Sequence, residues 1–153
     1  MDQELVADAL QSISRGLEAI LQYADLGYER VVLVKKQVGT VGETFIDLYT
    51  LDGETIKDPG YALGATATDD LRNACYSPGT GSWFSATITL HRDGILETDF
   101  EYDADPRESA PRMAIPFLVE ALRSEVELYP RDPGKWPAWF MEKAAEFGVD
   151  VLT

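Results

Sequence analysis

Between residues 83 and 103 the sequence alternates so regularly that one pairing of two strands satisfies it best. Phe84, Ala86, Ile88 and Leu90 alternate with Trp83, Ser85, Thr87 and Thr89. After Arg92-Asp93-Gly94, the residues Leu96, Phe100 and Tyr102 alternate with Glu97, Asp99, Glu101 and Asp103. A period of two marks a strand with one buried face. A two-residue turn at Asp93-Gly94 would set Leu90 and Ile88 opposite Glu97 and Asp99. A three-residue turn with Gly94 left-handed instead sets Leu90 opposite Leu96, Ala86 opposite Phe100 and Phe84 opposite Tyr102. A slip of one residue turns every side chain to the other face, so the second register is expected. It puts the apolar set on the core side. Trp83, Ser85, Thr87, Thr89 and the four acids then share the outer face.

The rest of the chain supplies elements to cover that sheet. Leu5, Ala9, Ile13, Leu17 and Leu21 recur every four residues, widened by Val6, Leu10 and Ile20, and predict an amphipathic first helix that Gly27 stops after Leu26. Segments 29–37 and 43–50 read as strands joined by a five-residue loop at 38–42, which pairs Val34 with Ile46 and Val32 with Leu48 on one face. Leu51-Asp52-Gly53 has the form of a three-residue hairpin turn, which sets Leu48 opposite Ile56 and Asp47 opposite Lys57. After a loop at 59–64, Thr68 is placed to cap a short helix through Leu71 and Cys75, ended by the Ser77–Gly81 segment. Pro111 or Pro116 opens a helix with Phe117, Leu118, Ala121 and Leu122 on its apolar face, which Pro130 ends. A last helix starts at Pro137, carries Trp139, Phe140, Ala144 and Phe147, and stops at Gly148. The expected architecture is a single α+β domain over residues 1–153. Its antiparallel, meander-type sheet has about five strands, with an N-terminal helix and two C-terminal helices packed on one face.

Charge narrows the classes of partner. Asp and Glu total 27 against 13 Lys and Arg, a net charge of −14. Such a field repels nucleic acid and anionic membrane and attracts cationic surfaces, so neither nucleic acid nor membrane is expected as a partner. One cysteine, Cys75, allows no internal disulfide and no thiolate cluster, which suits a reducing compartment. The start Met1-Asp2-Gln3-Glu4 lacks the basic flank and apolar block of a signal peptide, and a cytoplasmic location is expected.

Catalytic chemistry is thinly supplied. His91 is the one histidine and falls at a hairpin end, where an exposed surface position is expected. Cys75 lies among Leu71, Ala74 and Tyr76 and reads as a small buried hydrophobe. Gly79-Thr80-Gly81 resembles part of a phosphate loop, but no Lys follows it and a strand comes next, so the anion-binding reading fails. No HExxH, CxxC or EF-hand spacing occurs, and no catalytic residue, metal or cofactor is expected. Acids two apart on a strand stand ~6.6–6.8 Å from one another, too far for adjacent members alone to hold one ion. The row Glu97, Asp99, Glu101 and Asp103 therefore reads either as a solvated face or as a docking surface for a basic protein. Trp83, on the same expected outer face, would serve as its aromatic anchor.

The run from Trp83 to Gly94, followed by Asp99-Phe100-Glu101-Tyr102-Asp103, resembles the second hairpin of the YezG-like immunity family. Tyr28-Glu29-Arg30-Val31-Val32-Leu33 resembles that family's first strand. Leu128-Tyr129-Pro130-Arg131-Asp132, followed by Pro137-Ala138-Trp139, is similar to the ending of its actinobacterial-type members. The order of elements agrees along most of the chain, and residues 42–67 contribute little. The resemblance implies an α+β immunity protein of a polymorphic toxin system, used in interbacterial competition. Such a protein is a non-enzymatic antitoxin that binds a cognate secreted toxin domain, often a nuclease, and neutralises it. A toxin that handles phosphate-bearing substrates needs a basic cleft, and Trp83, Glu97, Asp99, Glu101 and Asp103 are the expected contacts to it. Two other classes stay open: an adaptor for a non-toxic partner, and a small enzyme using His91 and nearby carboxylates.

Overall fold

The computed structural model describes residues 1–23, 27–57, 59 and 66–151. Leu26, where the first helix was expected to stop, and all of the 59–64 loop except Pro59 lie outside the described residues. The elements run α1 (Gln3–Tyr23), β1 (Tyr28–Val38), β2 (Val41–Thr50), β3 (Thr55–Lys57), α2 (Ala67–Ala74), β4 (Ser85–His91), β5 (Leu96–Glu101), α3 (Val119–Leu128) and α4 (Ala138–Phe147). All strand pairs are antiparallel, and the sheet order is β3-β2-β1-β4-β5. The α+β class and the element order are those expected from the sequence.

The first cluster of buried residues joins α1 and α2 to one face of the sheet. Ile13, Leu17 and Ile20 of α1 pack with Val31, Leu33, Ile46, Leu48, Ile88 and Leu90, and Leu71 and Cys75 close the side. Burying one such side chain fully is worth about 1.5–3 kcal/mol. Leu5 was expected in the α1 stripe but stays exposed, so the buried stripe begins at Ala9. Asp2 accepts the Leu5 N–H at 3.1 Å and caps the helix start.

The second cluster gathers α3 and α4 around Val38 and Phe84. Val38 has the opposite parity to Val31 and Leu33, so it stands on the other face of β1. The helices thus divide between two clusters at different parts of the sheet.

Both three-residue turns form as expected. Leu48 pairs with Ile56 and Asp47 with Lys57. Leu90 pairs with Leu96 and Ala86 with Phe100. Gly53 and Gly94 each adopt φ of 90°, the left-handed region these turns require.

The first hairpin differs from its expected register. Val31 pairs with Leu48, Leu33 with Ile46 and Val34 with Phe45, and the loop is two residues, Gly39-Thr40, between Val38 and Val41. Val32 and Val34 therefore face away from the α1 core. The tight turn is possible because Gly39 is left-handed, with φ of 58°. A Cβ there would lie 2.0 Å from Ser124 Oγ and 2.2 Å from the Ala121 carbonyl oxygen, so α3 holds the turn against it. With apolar residues at both parities from Val31 to Val34, alternation alone cannot choose the register.

Two helix boundaries also move. α2 has Thr66 at its cap position with no side-chain cap bond, and Thr68 is buried inside the first turn rather than capping it. Neither Pro111 nor Pro116 opens α3, which starts at Val119 after an extended Leu118 that is exposed. Phe117 is buried ahead of the helix. α4 follows expectation, with Pro137 at its start and a left-handed Gly148 at its end.

Candidate binding surface

Trp83 is the main correction to the expected site. It is fully buried, sits in the α1 cluster and stacks on Phe100 with ring centroids 6.2 Å apart. Phe84, expected beside Ala86, points the other way into the second cluster, with its ring 4.9 Å from Trp139 and 6.2 Å from Phe140. A bulge causes the inversion. Ser85 pairs with Glu101, and the Phe84 N–H also donates to the Glu101 carbonyl at 2.9 Å, so two residues oppose one. The expected Phe84–Tyr102 pair does not extend the ladder, which ends at Ser85 and Glu101. A fully buried Trp83 cannot anchor a partner.

The four acids are all exposed, but they divide into two kinds. Glu97 and Asp99 stand on β5 beside Thr89 and Thr87, with no cation as their cross-strand neighbour. Glu97 Oε1 lies 2.9 Å from His91 Nε2, and Asp99 has no side-chain partner among the described residues. Glu101 and Asp103 instead secure the chain where it leaves the sheet. Glu101 Oε1 accepts the N–H groups of Ala104 and Asp103, both at 3.0 Å. Those backbone bonds hold its carboxyl below the usual carboxylate range. Asp103 lies past the end of β5, 3.4 Å from Arg131 Nη1, and its carbonyl accepts the Trp139 indole N–H at 2.6 Å.

The outer face continues across the sheet from these two acids. Glu97, Thr89, Val32, Asp47 and Lys57 form one cross-strand row, and Asp99, Thr87, Val34 and Phe45 form the next. Val32, Val34 and Phe45 are half-buried. Arg30 lies 4.0 Å over the Tyr49 ring beside them. The far end of the face is closed by the segment after Asp105. Lys36 Nζ donates to Ser109 Oγ at 2.8 Å, and Glu43 Oε1 accepts the N–H groups of Ala114 and Ile115. Burial pushes the Lys36 ammonium down from its ordinary value.

A second set of charges was not expected at all. Arg72 and Glu125 are both fully buried and meet at 2.6 Å. Glu125 also accepts the Gly39 N–H at 2.7 Å, and Arg72 donates to the Trp83 carbonyl at 2.7 Å while lying 4.2 Å over the Tyr129 ring. Burial pushes the Glu125 carboxyl up, against the pull of Arg72 and the Gly39 N–H. Arg131, also buried, donates to the Ser82 and Tyr102 carbonyls at 3.0 and 2.6 Å. These groups tie α2, α3, the β1–β2 turn and the start of β4 together.

The two side chains weighed for catalysis differ in exposure. Cys75 is fully buried, and burial pushes its thiol up. His91 faces Glu97 at the hairpin end. Among the described residues, no group of three or more His, Cys, Asp or Glu is placed to hold a metal ion, and no helix is long and apolar enough to cross a membrane. Compared with known proteins, the chain matches no family model and no curated relative.

Proposed function

We propose that the chain is an immunity protein similar to the YezG-like family, a stoichiometric and non-catalytic inhibitor that docks on a secreted toxin domain in the cytoplasm of the producing cell. One observation carries the reading: Glu97 and Asp99 are exposed on an edge strand without cationic cross-strand neighbours, in a chain of net charge −14. Two like charges held ~6.7 Å apart repel by about 0.6 kcal/mol in water. Among the described residues Asp99 has no charged partner to offset that cost, and Glu97 meets only His91 at the hairpin end. A basic cleft, such as a nuclease needs for its phosphate-bearing substrate, complements this face and is steered to it. The half-buried Val32, Val34 and Phe45 supply apolar contact beside the acids, in the place the sequence had given to Trp83.

The test is functional. A secreted toxin domain that co-purifies with this chain from its native cells is expressed in a susceptible host, alone and with this chain. Restored growth together with a one-to-one complex supports the proposal. Unrelieved growth arrest with no complex overturns it, as does turnover of a toxin substrate by this chain alone.

A further inference from the structure

β5 ends the sheet, and its backbone is only half used. It follows β4 in the strand order and has no strand on its other side among the described residues. The His91 N–H donates to the Ile95 carbonyl at 2.9 Å, which fixes the phase of the ladder. Antiparallel pairs alternate between bonded and non-bonded, so Glu97 and Asp99 spend their backbone groups on Thr89 and Thr87. Leu96, Thr98 and Phe100 therefore aim their N–H and C=O groups outward, and none of these groups has a partner among the described residues. An edge like this is a template for another strand. The opposite edge is much shorter, because β3 spans only three residues.

The side chains select what can pair there. A strand added to β5 sets its own side chains beside Glu97, Asp99 and Glu101 on the outer face. A second copy of this chain, paired edge to edge, would bring those acids against their own kind, which disfavours self-association. A strand with Lys or Arg at alternate positions would instead gain an ion pair at each step along with the backbone bonds.

We infer that the free edge of β5 is the docking element itself, and that it accepts a basic β-strand of the partner by strand addition. This rests on the immunity reading only for the partner's biological identity, since the chemistry of the edge can be tested without it. The probe is a short synthetic peptide alternating Lys and Val, blocked at both ends. Its control is the same peptide N-methylated at alternate residues, which keeps the charge and removes one edge's donors. Amide hydrogen exchange of the full chain is followed residue by residue with each peptide. The unmodified peptide should slow exchange at Leu96, Thr98 and Phe100 by at least about tenfold, and the methylated one should not. Thr98→Pro removes the central outward N–H and should abolish the protection at the two flanking amides, while Thr98→Ala should keep it. Equal protection by both peptides, or none by either, would overturn strand addition. Protection of the same amides at high protein concentration without peptide, with a dimer in sedimentation, would give the edge to a second copy and also overturn it. Failure of the growth assay above leaves these exchange results unaffected, so the two readings fail separately.

Discussion

Charge is used in opposite ways at the two ends of β4. Near its start, Arg72, Glu125 and Arg131 are buried, paired and bonded to backbone groups from several elements. Near its far end, Glu97 and Asp99 stand in solvent on the neighbouring strand, and among the described residues only Glu97 has a side-chain partner, His91. The first set is needed for the fold, because removing one member strands a desolvated charge. The second set repels itself mildly and gives the isolated fold little in return. A net charge of −14 says nothing about which acids serve which purpose, whereas burial and pairing do.

The sharpest way to break the comparison is at the buried end. Glu125→Ala leaves Arg72 uncompensated and should cost about 3–5 kcal/mol in chemical denaturation. A double change, Arg72→Met with Glu125→Leu, should recover much of that loss, since an apolar pair of similar volume removes both desolvation penalties. If Glu125→Ala were nearly neutral, the buried pair would not be what holds α2 to α3.

Trp83→Ala comes next. It empties a fully buried site against Phe100 and should destabilise by about 3–5 kcal/mol, the range for truncating a buried aromatic. Any loss of partner binding should track unfolding. A folded variant of native stability that failed to bind would restore Trp83 as an anchor.

These two predictions mark where sequence reasoning worked and where it stopped. Both Gly-ended turns were legible, because Leu48–Ile56 and Leu90–Leu96 pair correctly in only one register. The bulge at Phe84-Ser85 was not legible, since alternation carries no sign of an inserted residue and Trp83 and Phe84 are both apolar enough for either face. The β1–β2 register failed because Val31 to Val34 is apolar at every position, and the turn is chosen by α3, far away in sequence. The buried ion pair did leave a trace. Thr68, Leu71, Arg72 and Cys75 follow helical i, i+3, i+4, i+7 spacing, as do Leu118, Ala121, Leu122 and Glu125. A charge interrupts each apolar stripe, with opposite signs, and that complementarity was the available signal.

Smaller effects test the exposed end. His91→Ala should change stability by less than about 1 kcal/mol, because its contact with Glu97 is a solvent-exposed pair. Protection against the toxin should persist. Loss of protection with the thermal midpoint preserved would favour the enzyme reading.

The smallest effect is a pH dependence at Glu101. Its folded carboxyl titrates below the ordinary value of 4.5, because the Ala104 and Asp103 N–H groups donate to it. The unfolded chain therefore takes up the proton first as the pH falls. Stability from this group is present above 4.5 and is lost as the pH drops through its lowered folded value. Glu101→Gln should flatten the stability profile as the pH falls below 4.5, and an unchanged slope there would count against the turn-holding role.

The central claim is that Glu97 and Asp99 serve binding rather than folding, and one paired measurement bears on it most directly. Glu97→Gln with Asp99→Asn is compared with the unmodified chain by chemical denaturation and by association rate with the toxin domain across a salt series. The account predicts equal or slightly greater stability, by no more than about 1 kcal/mol, and slower association, most of all at low ionic strength. Unchanged association at every salt concentration would contradict it and leave the acidic strand as a solvated face.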